Sequence, residues 1–189
     1  MVEDTDQQLV DRVLSGNKKA FDLLVLRYQH RVAALISRFV HDPHEVEDVC
    51  QEAFVKAYRA LSLFRGDSAF YTWLYRIAVN TAKNHLVSRN RRPPASDIDI
   101  EEAEFIETGT VLRVIENPES SLATANLKQA ITAAIEELPE DLRTAFTLRE
   151  FSGMSYEEIT EVMDCPVGTV RSRIFRAREA IDKKIRPLL

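Results

Sequence analysis

Apolar residues along this chain recur at three- and four-residue intervals over long stretches, the spacing of helices packed along one face. In residues 18–40, KKAFDLLVLRYQHRVAALISRFV, the stripe is Phe21, Leu24, Val25, Tyr28, Val32, Leu35, Ile36 and Phe39. A shorter helix precedes it over about 5–15, and Gly16 closes it. HDPHEVEDV interrupts the pattern, and Pro43 suits the first turn of a helix running to about residue 61. After the loop SLFRGDS a long helix is predicted over about 69–90, with Phe70, Leu74, Ile77 and Thr81 on its core side. RRPP at 91–94 ends it, because a residue before proline is pushed out of the helical region. Helical spacing resumes near 119 and continues to the end, broken at LPED, FSGMS and DCPVG.

Residues 91–122 have no firm apolar period and carry three basic residues against eight acidic ones. The reading is an all-α chain. Two small helical domains, 1–92 and 121–189, are joined by an acidic linker, 93–120, extended or partly disordered. With 189 residues, 45% of them hydrophobic and 29% charged, the chain can bury two modest cores. No apolar run approaches the roughly 18–20 residues that span a bilayer, and the start, MVEDTDQQLV, is acidic where a secretory signal is basic. A cytoplasmic location is expected. Cys50 and Cys165 form no CxxC and read as reduced structural thiols. His41 and His44 have no further ligand at metal spacing, so HDPH reads as a solvated loop, with neither metal nor cofactor expected.

Charge changes this picture more than composition does. The net charge is −5, yet residues 165–189 carry seven basic residues against Glu179 and Asp182, and residues 70–92 carry five with no acid. Two positive patches flank a negative tether, and local field rather than net charge decides where a polyanion docks.

The C-terminal patch has the pattern of a helix-turn-helix. Ser155 and Glu158 form a capping-box pair, Ile159, Val162 and Met163 line the first helix, and DCPVG supplies the turn. In the second helix Val170, Ile174, Ala177 and Ile181 form one narrow stripe, leaving Thr169, Arg171, Ser172, Phe175 and Arg176 pointing elsewhere. Such a helix fits the major groove, where arginine donates twice to guanine. The structural alternative is a solvated basic face with Phe175 in the core.

The other patch follows FRGDSAFYTWLY, which holds Phe64, Phe70, Tyr71, Trp73 and Tyr75, five of the chain's aromatics. Trp73, Arg76, Asn80, Lys83 and Asn84 share one helix side, so Trp73 is expected exposed among polar neighbours, while Tyr71 and Tyr75 are expected structural. Rings beside cations suit single-stranded nucleic acid, and the loop 64–69 can form a pocket for an unstacked base.

Over essentially its whole length the chain resembles the extracytoplasmic-function class of bacterial sigma factors, specifically the envelope-stress sigma-E type. QEAFVKAYRAL, FRGDSAFYTWLYRIAVNTAKN, RRPP, LPEDLRTAFTLREF and SYEEITEVMDCPVGTVRSRIFRAREAI carry the likeness. The resemblance implies that the first domain binds the β′ clamp helices of core RNA polymerase through Asp48, Gln51, Glu52, Phe54 and Lys56. It implies that Phe64, Ser68, Phe70, Trp73, Arg76, Asn80 and Lys83 melt the minus-ten element of promoter DNA and hold a flipped base. Arg149, Thr169, Arg171, Ser172, Phe175 and Arg176 would read the minus-thirty-five element, with the second domain on the β flap and the linker threading toward the RNA exit channel. It also implies a membrane-anchored anti-sigma factor as regulator, and neither enzymatic activity nor a small-molecule substrate.

Two other readings compete. A free-standing helix-turn-helix regulator needs a dimer interface or sensor domain, and neither half offers an obvious ligand pocket. A DNA-cleaving enzyme needs a nucleophile among arginines or convergent carboxylates. Here Tyr71 lies near Arg76, too sparse a pairing for a recombinase, and the acids cluster in the linker.

Overall fold

The computed structural model describes residues 4–91 and 118–188; most of the acidic segment, and with it the expected linker, lies outside the described residues. Those residues form eight α-helices and no strand. They pack as two compact units, one holding the first four helices and one the last four up to Thr160 and from Cys165.

In the first unit α1 (Asp6–Leu14) opens on a capping box: the Thr5 hydroxyl accepts from the Gln8 amide and the Gln8 side chain accepts from the Thr5 amide. Gly16, at φ +100°, turns the chain into α2 (Lys19–Ile36). Asp42 caps α3 (Pro43–Ala60), with Pro43 in the first turn as expected. A 3-10 turn at Leu61–Leu63 leads through the loop to α4 (Phe70–Arg91). Helices α2, α3 and α4 pack against one another, and α1 lies on α2.

The predicted α2 stripe is buried, except that Val25 sits at its edge and is half-buried; Ile77 on α4 is likewise half-buried. Ala53, Ala57, Ala78 and Ala82 are fully buried on α3 and α4, and small side chains at four-residue spacing let two helix axes approach closely. Tyr75 is 2% exposed and structural, while Tyr71 is half-buried.

The second unit comprises α5 (Pro118–Glu136), α6 (Glu140–Glu150), α7 (Tyr156–Met163) and α8 (Val167–Ile185). Its first helix begins at Pro118, three residues before the expected domain start, since proline is favoured in a first turn. Glu140 and Asp141 put negative charge at the N-terminus of α6, where the helix dipole favours it. Gly153, at φ +67°, shapes the FSGMS turn. The Ser155 amide donates to Glu158 at 2.8 Å and the Glu158 amide to the Ser155 hydroxyl at 3.1 Å, which is the predicted capping box. Asp164, at φ +50°, turns the chain toward Pro166 and the start of α8. The α8 stripe Val170, Ile174, Ala177 and Ile181 is buried throughout, packed on α5 and α6. Ile135 and Leu138 meet Ala177 and Ile181 in one apolar cluster.

Candidate nucleic-acid interface

With one side of α8 sealed against α5 and α6, its other side is available. Arg171, Ser172, Phe175 and Arg176 are exposed and Thr169 is half-buried. Phe175 is 68% exposed, which removes the alternative that placed it in the core. Arg173 and Arg178 belong to a different task. The Arg173 guanidinium donates to Asp141 at 2.5 Å and to the Cys165 sulfur at 3.2 Å, and Arg178 donates to Glu150 at 2.5 Å. Half of the arginine run therefore fastens α8 to its own domain. Arg176 pairs with no described residue.

Arg149, expected among the minus-thirty-five contacts, is tied into its own domain. It is half-buried, donates to the Met154 carbonyl at 2.7 Å, and stacks 4.9 Å over the Tyr156 ring. Its first duty is to hold the turn before α7. Arg171 lies 5.8 Å from the same ring on the other helix, so Tyr156 orders two guanidinium groups. Sequence reasoning missed Tyr156; the available signal was an aromatic directly after the capping serine. The Ser172 hydroxyl donates to the Thr169 carbonyl at 2.9 Å, which leaves its lone pairs as acceptors facing outward.

In the first unit, the loop 64–69 folds back on the start of α4. Phe64, Phe70 and Trp73 form a triangle of rings with centroid separations of 5.3 to 5.7 Å. Trp73 is half-buried rather than exposed, because the Phe64 ring returns over it, a contact that helical periodicity cannot reveal. Phe70, placed by the resemblance among the DNA contacts, is only 3% exposed. It supports the other two rings from beneath instead of meeting a base. Phe64 and Ser68 are half-buried at the surface, and Arg76 and Asn80 are exposed one and two turns along α4, with half-buried Lys83 beyond. The arrangement offers aromatic faces followed by a polar, cationic track, which suits unstacked bases with their backbone alongside.

The outer face of α3 carries Asp48, Gln51 and Glu52, all exposed, and half-buried Lys56, which pairs with Glu52 at 2.7 Å. Phe54 is 7% exposed and belongs to the core, beside buried Ala53 and, one turn on, buried Ala57. Val55 and Tyr58, 48% and 37% exposed, extend the face and were missed because exposed apolar residues look like core in a sequence. Cys50 is a free, half-buried thiol; burial and then the Glu47 charge push its pKa up, so it stays protonated. Among the described residues no group of His, Cys, Asp and Glu is placed to hold a metal, and no helix is long and apolar enough to cross a membrane.

Two family models match the chain: sigma-70 region 2 over residues 24–92 and sigma-70 region 4 over residues 128–181. The RNA polymerase sigma-H factor of Pseudomonas aeruginosa is 65% identical over all of this chain and 98% of its own length. The ECF RNA polymerase sigma-E factor of Escherichia coli is 65% identical over 98% of this chain and 96% of its own. The structure of CnrH, solved in complex with the cytosolic domain of CnrY, aligns over 95% of this chain and 96% of its own, with 28% identity and a TM-score of 0.67.

Proposed function

This chain belongs to the extracytoplasmic-function RNA polymerase sigma factors, and we propose that its two helical units read the two halves of one promoter for core polymerase. The carrying observation is α8: a helix whose inner stripe is wholly buried while Arg171, Ser172, Phe175 and Arg176 stand exposed on the other side. Laid in the major groove at the minus-thirty-five element, that side presents two guanidinium forks for guanine, a hydroxyl, and a ring for a thymine methyl or sugar.

The minus-ten element falls to residues 1–92. Phe64 and Trp73 receive an unpaired base beside Ser68, and Arg76, Asn80 and Lys83 follow the backbone. The outer face of α3 docks the β′ clamp helices through Asp48, Gln51, Glu52 and Lys56, with Val55 as an apolar centre. The domain 121–189 also meets the β flap. The acidic residues 93–120 repel stray DNA and suit a channel built for RNA. Phosphodiester chemistry belongs to the polymerase, and the chain supplies recognition. Its place of work is the cytoplasm, where a membrane-anchored anti-sigma factor controls it through the polymerase-binding faces and links it to envelope stress. The complex of CnrH with the cytosolic domain of CnrY supports a regulator of that form.

Run-off transcription with core polymerase tests this reading. Initiation at an envelope-stress promoter is expected only when the chain is added, and no initiation at any promoter tried would refute it. Alone, the chain is expected to bind promoter DNA weakly, because the holoenzyme supplies most phosphate contacts. Tight sequence-selective binding by the isolated protein would favour a free-standing regulator.

A further inference from the structure

Helix α1 lies outside the matched sigma-70 region 2, which begins at residue 24, and neither the sequence pattern nor the resemblance gave any of its residues a role at the minus-ten element. Leu9 and Val10 are 1% and 0% exposed, so the helix is firmly seated. Two separate lines of contact run from it to the ring cluster and the loop 64–69.

The first passes through α2. Asp6 accepts a hydrogen bond from the Tyr28 hydroxyl with one carboxylate oxygen and from Arg27 at 2.5 Å with the other. Arg27 also donates to the Asp4 carbonyl at 2.8 Å. The Tyr28 ring is 5% exposed and packs 5.7 Å from Phe70, whose ring is in turn 5.7 Å from both Phe64 and Trp73. Burial, then the bond to Asp6, pushes the Tyr28 pKa well up, so the phenol remains a donor throughout the neutral range.

The second line reaches the loop directly. Gly66 has φ +76°, and a Cβ added there would lie 3.3 Å from the Gln7 side-chain oxygen, closer than most such contacts. The Gln7 amide nitrogen donates to Asp11 at 2.9 Å, which aims the oxygen toward the loop. Gly66 thus meets two demands at once: a left-handed backbone and room for α1.

We propose that α1 is a working part of the minus-ten site, with Asp6 and Tyr28 positioning the Phe64–Phe70–Trp73 rings from beneath and Gln7 setting the loop at Gly66. The inference rests on the minus-ten role proposed above. Tyr28 and Gln7 are positioning residues, because they act through the rings and the loop. The geometry of a base-receiving pocket depends on where its rings are held, and a hydrogen bond from a buried phenol to a carboxylate fixes Tyr28, the ring against which Phe70 packs.

The test uses holoenzyme assembled from core polymerase and full-length protein on a promoter with 2-aminopurine in the non-template minus-ten strand. Tyr28→Phe keeps the ring and removes only the hydroxyl, and Gln7→Ala changes an exposed residue with little risk to folding. Each is expected to lower the equilibrium constant for strand opening, Tyr28→Phe by roughly tenfold as one charge-assisted bond implies. The affinity for core polymerase and the penalty for a minus-thirty-five mismatch are expected to stay as in the wild type. Gly66→Ala is expected to reduce opening, and Gln7→Ala in the Gly66→Ala background to recover part of it. Wild-type opening in Tyr28→Phe and Gln7→Ala, or losses matched by equal losses of core affinity, would overturn the proposal. If wild-type protein with core polymerase opens no promoter, the parent reading fails instead.

Discussion

Arg173 on α8 donates to Asp141 on α6 at 2.5 Å, while Arg176, one turn further along α8, pairs with no described residue. Neighbouring arginines of one basic run therefore serve different ends, and substitution separates them. Arg173→Ala or Asp141→Ala is expected to destabilise the C-terminal unit by about 0.2–1 kcal/mol, since the Asp141 side chain is half open to solvent. Thermal unfolding measures this, and base discrimination in transcription assays is expected to stay unchanged.

Arg176→Ala behaves in the opposite way. Stability is expected to hold within about 0.5 kcal/mol, as for other exposed positions. Discrimination at the minus-thirty-five element drops by about 1–3 kcal/mol for a bidentate guanine contact. Holoenzyme titrations on matched and singly substituted promoters check it. An equal loss on every sequence, with a shallower salt dependence, makes Arg176 a phosphate anchor.

Ile174 and Phe175 are neighbours on α8, one buried and one open to solvent, 1% and 68% exposed. Ile174→Ala is expected to cost about 2–5 kcal/mol in denaturant unfolding, because it empties the seam that seats α8. Phe175→Ala leaves the unfolding curve in place and weakens promoter binding only.

Asp42 provides a pH-dependent check on the N-terminal unit. Its carboxylate accepts from the Glu45 and His44 amides, which hold its pKa below the ordinary value of 3.8. A depressed folded pKa gives stability that is present above the ordinary value and lost as pH falls through the lower one. The gap in melting temperature between wild type and Asp42→Ala is expected to be full at neutral pH and to close below about pH 4. Asp42→Asn, which keeps a side-chain acceptor, is expected to lose little at neutral pH.

The helices, the Ser155–Glu158 capping box and most of the buried stripes were readable along the chain, because each follows from neighbours three or four residues apart. Ser155 with Glu158, Pro43 in a first turn, and the α8 seam are local signals, and the structure places each as expected. The outward set on α8 was readable for the same reason: once one stripe is apolar, the other side is defined by geometry.

Which residues from distant segments share a surface is settled only when the helices pack. Trp73 sits under Phe64 because a loop folds back, Phe70 and Phe54 turn inward, Arg149 is held at Met154 and Tyr156, and Asp6 reaches Tyr28 across a helix boundary. None of these follows from periodicity, which records the direction of a side chain from its own helix and nothing of what arrives from elsewhere. The helical faces and the segregation of charge follow from the order of residues alone. Packing alone determined which rings and guanidinium groups remain available to DNA, since burial and pairing are properties of the assembled core.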